Sequence, residues 1–155
     1  MEESPRSEET PKERADRELI ELLNELRVVL PGVTVLLAFL LAVPFAKGWP
    51  QVTTFQRDVF VVAFLGAALS SALLIATSSI HRIGWRVSDK EKIVRVGTYL
   101  TIAGIFSLAV AIVSVVLVVT DYIFSRATAY AASAAIAVLI VLTWYVLAFV
   151  LREER

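Results

Sequence analysis

The chain has 155 residues, of which 57% are hydrophobic, and its mean hydropathy is +0.73. This apolar share exceeds that of soluble domains and predicts an integral membrane protein. The 15 basic and 15 acidic residues balance, and there is no cysteine and only one histidine, His81. This composition excludes disulfides and thiolate metal sites, and we expect no metal, no cofactor and no nucleic-acid partner.

The N-terminal region is polar and then amphipathic. Residues 1–9 offer almost nothing to bury and predict a disordered tail. Thr10, Pro11 and Glu13 form a capping-box pattern with proline at the first helical position, which predicts a helix start. Residues 10–27 are therefore predicted to form a cytoplasmic amphipathic helix, whose apolar stripe consists of Leu19, Leu22, Leu23, Leu26 and, just beyond it, Leu30.

Four apolar runs follow, each close to the roughly 20 residues that a helix needs to cross a ~30 Å hydrocarbon layer. They cover residues 28–46, 59–80, 96–119 and 127–151. Pro31 and Gly32 predict a kink between the amphipathic helix and the first span. Thr53 and Gln56 form a second capping-box pattern before the second span. The sequence thus predicts an all-α bundle of four transmembrane helices over residues 28–151, followed by a short tail, 152–155.

The basic residues predict an orientation, because Lys and Arg concentrate on the cytoplasmic side of membrane proteins. The N-terminal region, the middle connection and the C-terminal tail together hold twelve of them. The other side holds only Lys47, Arg57 and Arg126. We therefore expect a multi-pass protein of the cell membrane with both termini in the cytoplasm.

Small and polar residues form seams on the second and third spans. Helices inside lipid approach closely where small residues line their contact. The residues predicted to pack helices together in this way are Gly66, Ser70, Gly97, Gly104, Ser107 and Ser114. Continued toward the outer side, the seam of the second span reaches Gln56 and that of the third reaches Asp121. We expect the two seams to face each other.

Asp121 is the carboxylate of greatest interest, because an ionisable group facing a helix bundle is costly unless it is paired or hydrated. Its candidate partners are Arg57, Arg126 and Gln56. One interpretation is a proton or cation site. The other is an ion pair at the outer edge that fixes helix packing, and the position of Asp121 at the end of an apolar run favours it.

Four further charged or titratable residues lie where spans are predicted to begin or end. Glu25 and Arg27 precede the first span, where the arginine can extend its charge to the headgroups. His81 and Arg82 follow the second span, and an imidazole there could titrate near neutral pH. Anchoring at the membrane interface is the simpler interpretation for all four.

Several segments resemble one known family. These are ETPKERADRELIELLNELRVVLPGV at residues 9–33, FQRDVF before the second span, HR after it and VVTDYIF at the end of the third. The chain resembles the DUF6328 family of uncharacterised actinobacterial membrane proteins from Glu9 onward. The resemblance implies a four-helix membrane protein, and members often carry the label sodium:proton antiporter. The residues tell against that label, because antiport usually requires buried carboxylates near the midplane.

Three functional hypotheses follow from these patterns. The first is a structural or interaction role, indicated by the capped amphipathic helix and the scarcity of charge within the spans. For it we expect a homo-oligomer or a larger membrane partner, since small residues such as Ala127, Ala131 and Ala135 lie on the fourth span. The second is an ion or proton channel or transporter formed by a homo-oligomer, with Asp121 at its centre. A membrane enzyme is least supported, because no nucleophile, base and acid form a recognisable pattern, and we expect no enzyme.

Overall fold

The protein is a bundle of long helices. The structure, a computed structural model, describes the backbone of residues 11–84 and 90–146 and the side chains of residues 17, 20–79 and 94–144. Four α-helices occur in this order: α1 (Pro11–Ala42), α2 (Thr54–Gly84), α3 (Lys90–Ile123) and α4 (Arg126–Val141). Two 3-10 turns, Val43–Phe45 and Trp49–Gln51, join α1 to α2, and a π-helical turn, Leu142–Val146, extends α4.

Helices α2 and α3 form the central pair, and their small-residue seams face each other as predicted. Ser107 donates a hydrogen bond from Oγ to the carbonyl oxygen of Gly66 at 2.9 Å. A Cβ on Gly66 would lie 3.2 Å from the carbonyl oxygen of Ser107 and 3.3 Å from Cβ of Ala111. At the other end of the pair, Thr77 Oγ1 lies 3.5 Å from the carbonyl oxygen of Gly97. Glycine therefore sets the helix separation here, because a side chain would push α2 and α3 apart.

Helix α1 joins the amphipathic segment and the first span in one element. It runs through Pro31 without a break in the α-helical assignment over 32 residues. Leu26 and Val33 are buried and form a core cluster with Leu74 of α2. The leucine stripe therefore packs against α2 and α3, and Leu22 comes close enough to Gly97 that a Cβ there would be 3.2 Å from its Cδ2.

A second core cluster lies toward the opposite end of the bundle. Leu40 of α1, Phe60 of α2 and Ala111 of α3 are buried together there, with two more alanines of α2. The ring of Trp49 packs edge-on against Phe60, with ring centroids 4.8 Å apart. The connection between α1 and α2 is thus folded back onto the bundle.

Helix α4 packs against α3 through its buried residues Ala129, Ser133 and Ile140. Ser125 caps its first turn, because its Oγ accepts a hydrogen bond from the backbone nitrogen of Thr128 at 3.3 Å. Among the described helices, α4 packs its backbone against α3 alone. One face of α4 is consequently left outside the bundle.

The helices match a membrane environment. Four segments are long and apolar enough to cross a bilayer, namely Ile20–Phe45, Thr54–Ser79, Val94–Ile123 and Arg126–Trp144. Many large apolar side chains point away from the bundle, and an example is Phe39, which is 70% exposed. Such a surface suits lipid and not water. The predicted class, an all-α integral membrane bundle of four transmembrane helices, is confirmed for the described residues.

Candidate functional site

The start of α2 is fixed by a reciprocal cap between Thr53 and Gln56. The backbone nitrogen of Thr53 donates to Oε1 of Gln56 at 3.0 Å, and the backbone nitrogen of Gln56 donates to Oγ1 of Thr53 at 3.2 Å. This is the capping box that the sequence predicted. Because Oε1 is used as the acceptor, the amide nitrogen of Gln56 is turned toward the bundle.

That amide nitrogen binds Asp121. Nε2 of Gln56 donates to Oδ2 of Asp121 at 2.9 Å, which ties the start of α2 to the end of α3. On its other side, Asp121 receives a hydrogen bond to Oδ1 from Nε of Arg126 at 2.9 Å, and Nη2 lies 3.5 Å from Oδ2. Gln56, Asp121 and Arg126 therefore form one cluster, called here the Asp121 cluster, which joins α2, α3 and α4.

Each of the two charges of the Asp121 cluster lies at a helix end whose dipole has the same sign as the charge. Asp121 lies in the last turn of α3, where the helix dipole is negative, and Arg126 opens α4, where it is positive. Each charge therefore offsets the unfavourable placement of the other. The side chain of Asp121 is 5% exposed and that of Arg126 is 47% exposed, so the carboxylate is enclosed and the guanidinium reaches the surface.

Two aromatic rings hold the guanidinium in place. The Cζ atom of Arg126 lies 3.8 Å from the ring centroid of Phe55, in cation-π geometry. Tyr130 packs edge-on against Phe55 with ring centroids 6.3 Å apart. Sequence reasoning missed both rings and the Ser125 cap of α4. The signal available was the spacing itself, because Phe55 precedes Gln56 and Tyr130 follows Arg126 by one helical turn.

Arg57 does not join the cluster, although the sequence named it as a candidate partner of Asp121. It is exposed on α2, and no contact joins it to Asp121 among the residues that the structure describes. The physical reason is helical geometry: one residue after Gln56 is a rotation of about 100° around the helix, away from α3. Arg126 pairs with Asp121 instead.

A row of buried polar side chains continues from the cluster along the contact of α2 and α3. Ser114, Ser107 and Thr101 of α3 and Ser70 and Thr77 of α2 are all buried. Thr77 and Thr101 approach within 3.5 Å through their hydroxyl oxygens.

In this row, the fully buried Oγ of Ser70 has no hydrogen-bond partner among the residues that the structure describes. The carbonyl of Gly66, four residues earlier and thus a usual acceptor for a helical serine, accepts from Ser107 instead.

The predicted packing glycines differ in what surrounds them. A Cβ on Gly104 would lie 2.9 Å from both Cγ and Cδ2 of Leu74, so α3 approaches a leucine of α2 at this point. A Cβ on Gly97 would lie 3.3 Å from Cγ2 of Thr77. Both glycines are buried, and a Cβ on either one would require the neighbouring side chain of α2 to shift.

The predicted interfacial residues stand apart from the Asp121 cluster. Glu25 and Arg27 are exposed side chains on α1. His81 and Arg82 lie within α2, and their side chains are outside the described residues. Anchoring by these four residues stays a prediction. Over the part of the chain that was searched for metal sites, no group of three or more His, Cys, Asp or Glu side chains could hold a metal ion.

Residues 8–148 match the model of the DUF6328 family, which is described as a family of unknown function. No curated protein and no solved structure matches the chain. The match spans all four helices, and it includes the Asp121 cluster.

Proposed function

The chain belongs to the DUF6328 family, whose function is unknown, and from its own geometry we propose that it is a non-catalytic scaffold of the cell membrane that assembles with further copies of itself. The observation that carries the proposal is the free face of α4. Its backbone packs against α3 alone among the described helices, while the opposite side faces outward.

The outward face of α4 is rich in small residues. Ala127, Ala131 and Ala135 follow at intervals of four and are all exposed. Alanines at this spacing let a second helix approach closely, and close packing is a main source of helix association in lipid. A neighbouring helix covers such a face as well as lipid tails do. It also releases lipid tails that would otherwise lose conformational freedom against the protein surface. A second copy of α4 is therefore a fitting neighbour.

The Asp121 cluster supports a structural role. Its carboxylate is neutralised by Arg126 and bonded by Gln56, so it is occupied within the chain. The cluster holds the start of α4 against α2 and α3 through one enclosed group. A rigidly placed α4 can present the same face to a partner in every copy.

Self-association in lipid tests the proposal. We expect energy transfer between differently labelled copies in liposomes, and we expect Ala131→Leu to weaken it severalfold by separating the α4 helices. Ala103→Leu is the matched control, because Ala103 is an exposed alanine of α3, away from this face. Energy transfer at the level of random mixing for the native chain would refute self-association. An equal loss of energy transfer in both variants would show that the copies do not associate through this face of α4.

Ion or proton conduction is the second candidate, and the buried polar row between α2 and α3 favours it. Ser70 offers an unpartnered hydroxyl there, and the row leads toward Asp121. Proton and sodium flux into liposomes tests this candidate. Flux lost in Asp121→Asn and kept in Asp58→Asn, an exposed aspartate of α2, would support it. Flux no greater than that of empty liposomes would refute ion or proton conduction as the function.

The scaffold is proposed to keep both termini in the cytoplasm, as the distribution of Lys and Arg predicts. Reporter tags on each end test this orientation. We expect both tags to be protected from protease added outside intact cells. Cleavage of either tag would refute the proposed orientation.

A further inference from the structure

An apolar groove lies between the C-terminal end of α1 and the end of α3. Its volume is about 450 Å³. The wall comes from the last turns of α1, the connection to α2, Phe60 of α2 and the last turns of α3, and it is apolar apart from the tip of Tyr122 and the indole of Trp49. A cavity of this volume is within the range of ligand-binding sites, roughly 300 to 1,000 Å³.

The position of the groove decides what can fill it. It opens at the ends of the segments Ile20–Phe45 and Val94–Ile123, which are two of the membrane spans. A wall that is almost entirely apolar offers water few hydrogen bonds, whereas hydrocarbon is the solvent that surrounds these helices. A hydrocarbon chain is therefore the occupant that the wall suits.

Charge at the rim identifies the head that such a chain carries. Lys47 is exposed and lies between Ala46 and Gly48, both of which line the groove. Among the described residues, no carboxylate forms an ion pair with Lys47. The negative charge of Asp121 is already matched by Arg126. A lysine at a bilayer edge attracts an anionic headgroup, and its stem can remain in apolar surroundings.

We propose that this groove binds one acyl chain of an anionic phospholipid, whose phosphate pairs with Lys47. Tyr122 closes the groove near its rim, since its hydroxyl approaches Gly48 so closely that a Cβ there would be 2.7 Å away. The site does not use the exposed face of α4. Lipid binding and self-association through α4 can therefore fail independently.

A photoactivatable phosphatidylglycerol with a diazirine in its acyl chain tests the site on the full chain in lipid nanodiscs. Peptide mapping is expected to find label concentrated on the groove wall. Val119→Trp is expected to reduce that label severalfold, because Val119 lines the groove. Val138→Trp, an exposed valine of α4 outside the groove, is the matched control and should leave the label unchanged. Ala46→Phe fills the groove from the other side and guards against misfolding of a single variant.

The headgroup is tested separately by competition with unlabelled phosphatidylglycerol and phosphatidylcholine of the same chains. The native chain should prefer the anionic lipid, and Lys47→Gln should reduce that preference severalfold. Label spread evenly over all four helices, or label on the groove that neither filling variant reduces, would overturn the acyl-chain site. An unchanged preference in Lys47→Gln would overturn the role of Lys47. Groove label that is present in nanodiscs holding one copy of the chain and absent in those holding two would show that a second copy fills the groove, and it would also refute the proposal.

Discussion

Gln56 and Asp121 are 65 residues apart in sequence, and a 2.9 Å hydrogen bond joins them across the contact of α2 and α3. The same glutamine caps its own helix through its other amide atom. The side chain of Gln56 therefore both caps the start of α2 and bonds that start to the C-terminal end of α3. This double use makes Gln56 a sharper target for mutation than Asp121 itself.

Gln56→Glu should lower the melting temperature at neutral pH. The new carboxylate can still accept the capping hydrogen bond, but it presents an oxygen to Oδ2 of Asp121 in place of a donor. At acidic pH a proton shared by the two carboxyls restores a hydrogen bond, so the deficit should shrink. Circular dichroism melting in micelles measures both effects. Gln51→Glu, an exposed glutamine in the connection, is the control, and an equal deficit there would contradict the explanation.

Arg126→Lys should destabilise the start of α4 although the charge is kept. Lysine lacks the planar guanidinium that bonds Asp121 through Nε and stacks on Phe55. Hydrogen exchange of the first turns of α4 should become faster. Arg57→Lys is the matched control, because Arg57 is exposed and takes no part in the cluster. Unchanged exchange in Arg126→Lys would show that charge alone maintains the contact.

Gly66→Val should reduce the free energy of unfolding by about 1–3 kcal/mol, the usual cost of overpacking. The added atoms meet the backbone of Ser107, which can shift only if α2 and α3 separate. Gly32→Val is the control, since a Cβ on Gly32 meets nothing within 4 Å. Denaturant titration in mixed micelles compares the two variants. Similar losses in both would mean that helix propensity, and not the close approach, determines the result.

Gly104→Ala and Leu74→Ala should be strongly coupled. The first variant crowds Leu74, and the second leaves a cavity beside Gly104, so each change relieves the other. Leu74→Ala alone should cost about 2–5 kcal/mol, as is typical for a fully buried leucine. The double variant should be more stable than the sum of the single losses implies. Additive losses in unfolding titrations would show that these residues do not share a contact.

The sequence predicted the helices and the facing seams because both leave a local periodic signal. Gly66 and Ser107 were found by small-residue spacing, and the Thr53 and Gln56 cap by its three-residue interval. The choice of Arg126 over Arg57 as partner of Asp121 has no such signal. It depends on the rotation of α2 about its axis and on the tight link from α3 to α4.

The continuity of α1 was also beyond the sequence. Pro31 and Gly32 predicted a kink between the amphipathic helix and the first span, whereas the α-helical assignment continues through both residues. Tertiary packing decides, because Leu26 and Val33 on either side of Pro31 are buried in the same cluster. The groove beside Lys47 likewise depends on how the connection to α2 folds back onto Phe60, which no local pattern specifies.

The lengths of the first three helices have a consequence for how they cross the bilayer. With 32, 31 and 34 residues, α1, α2 and α3 are each about 46 to 51 Å long at 1.5 Å per residue. A hydrocarbon layer is ~30 Å thick, so each helix exceeds the length of an upright crossing by roughly 15 Å or more. Helix α1 continues without a break from Pro11 to Ala42, so its N-terminal part and its membrane span belong to one element. The extra length can be accommodated by tilt of the helices or by helical turns beyond the hydrocarbon.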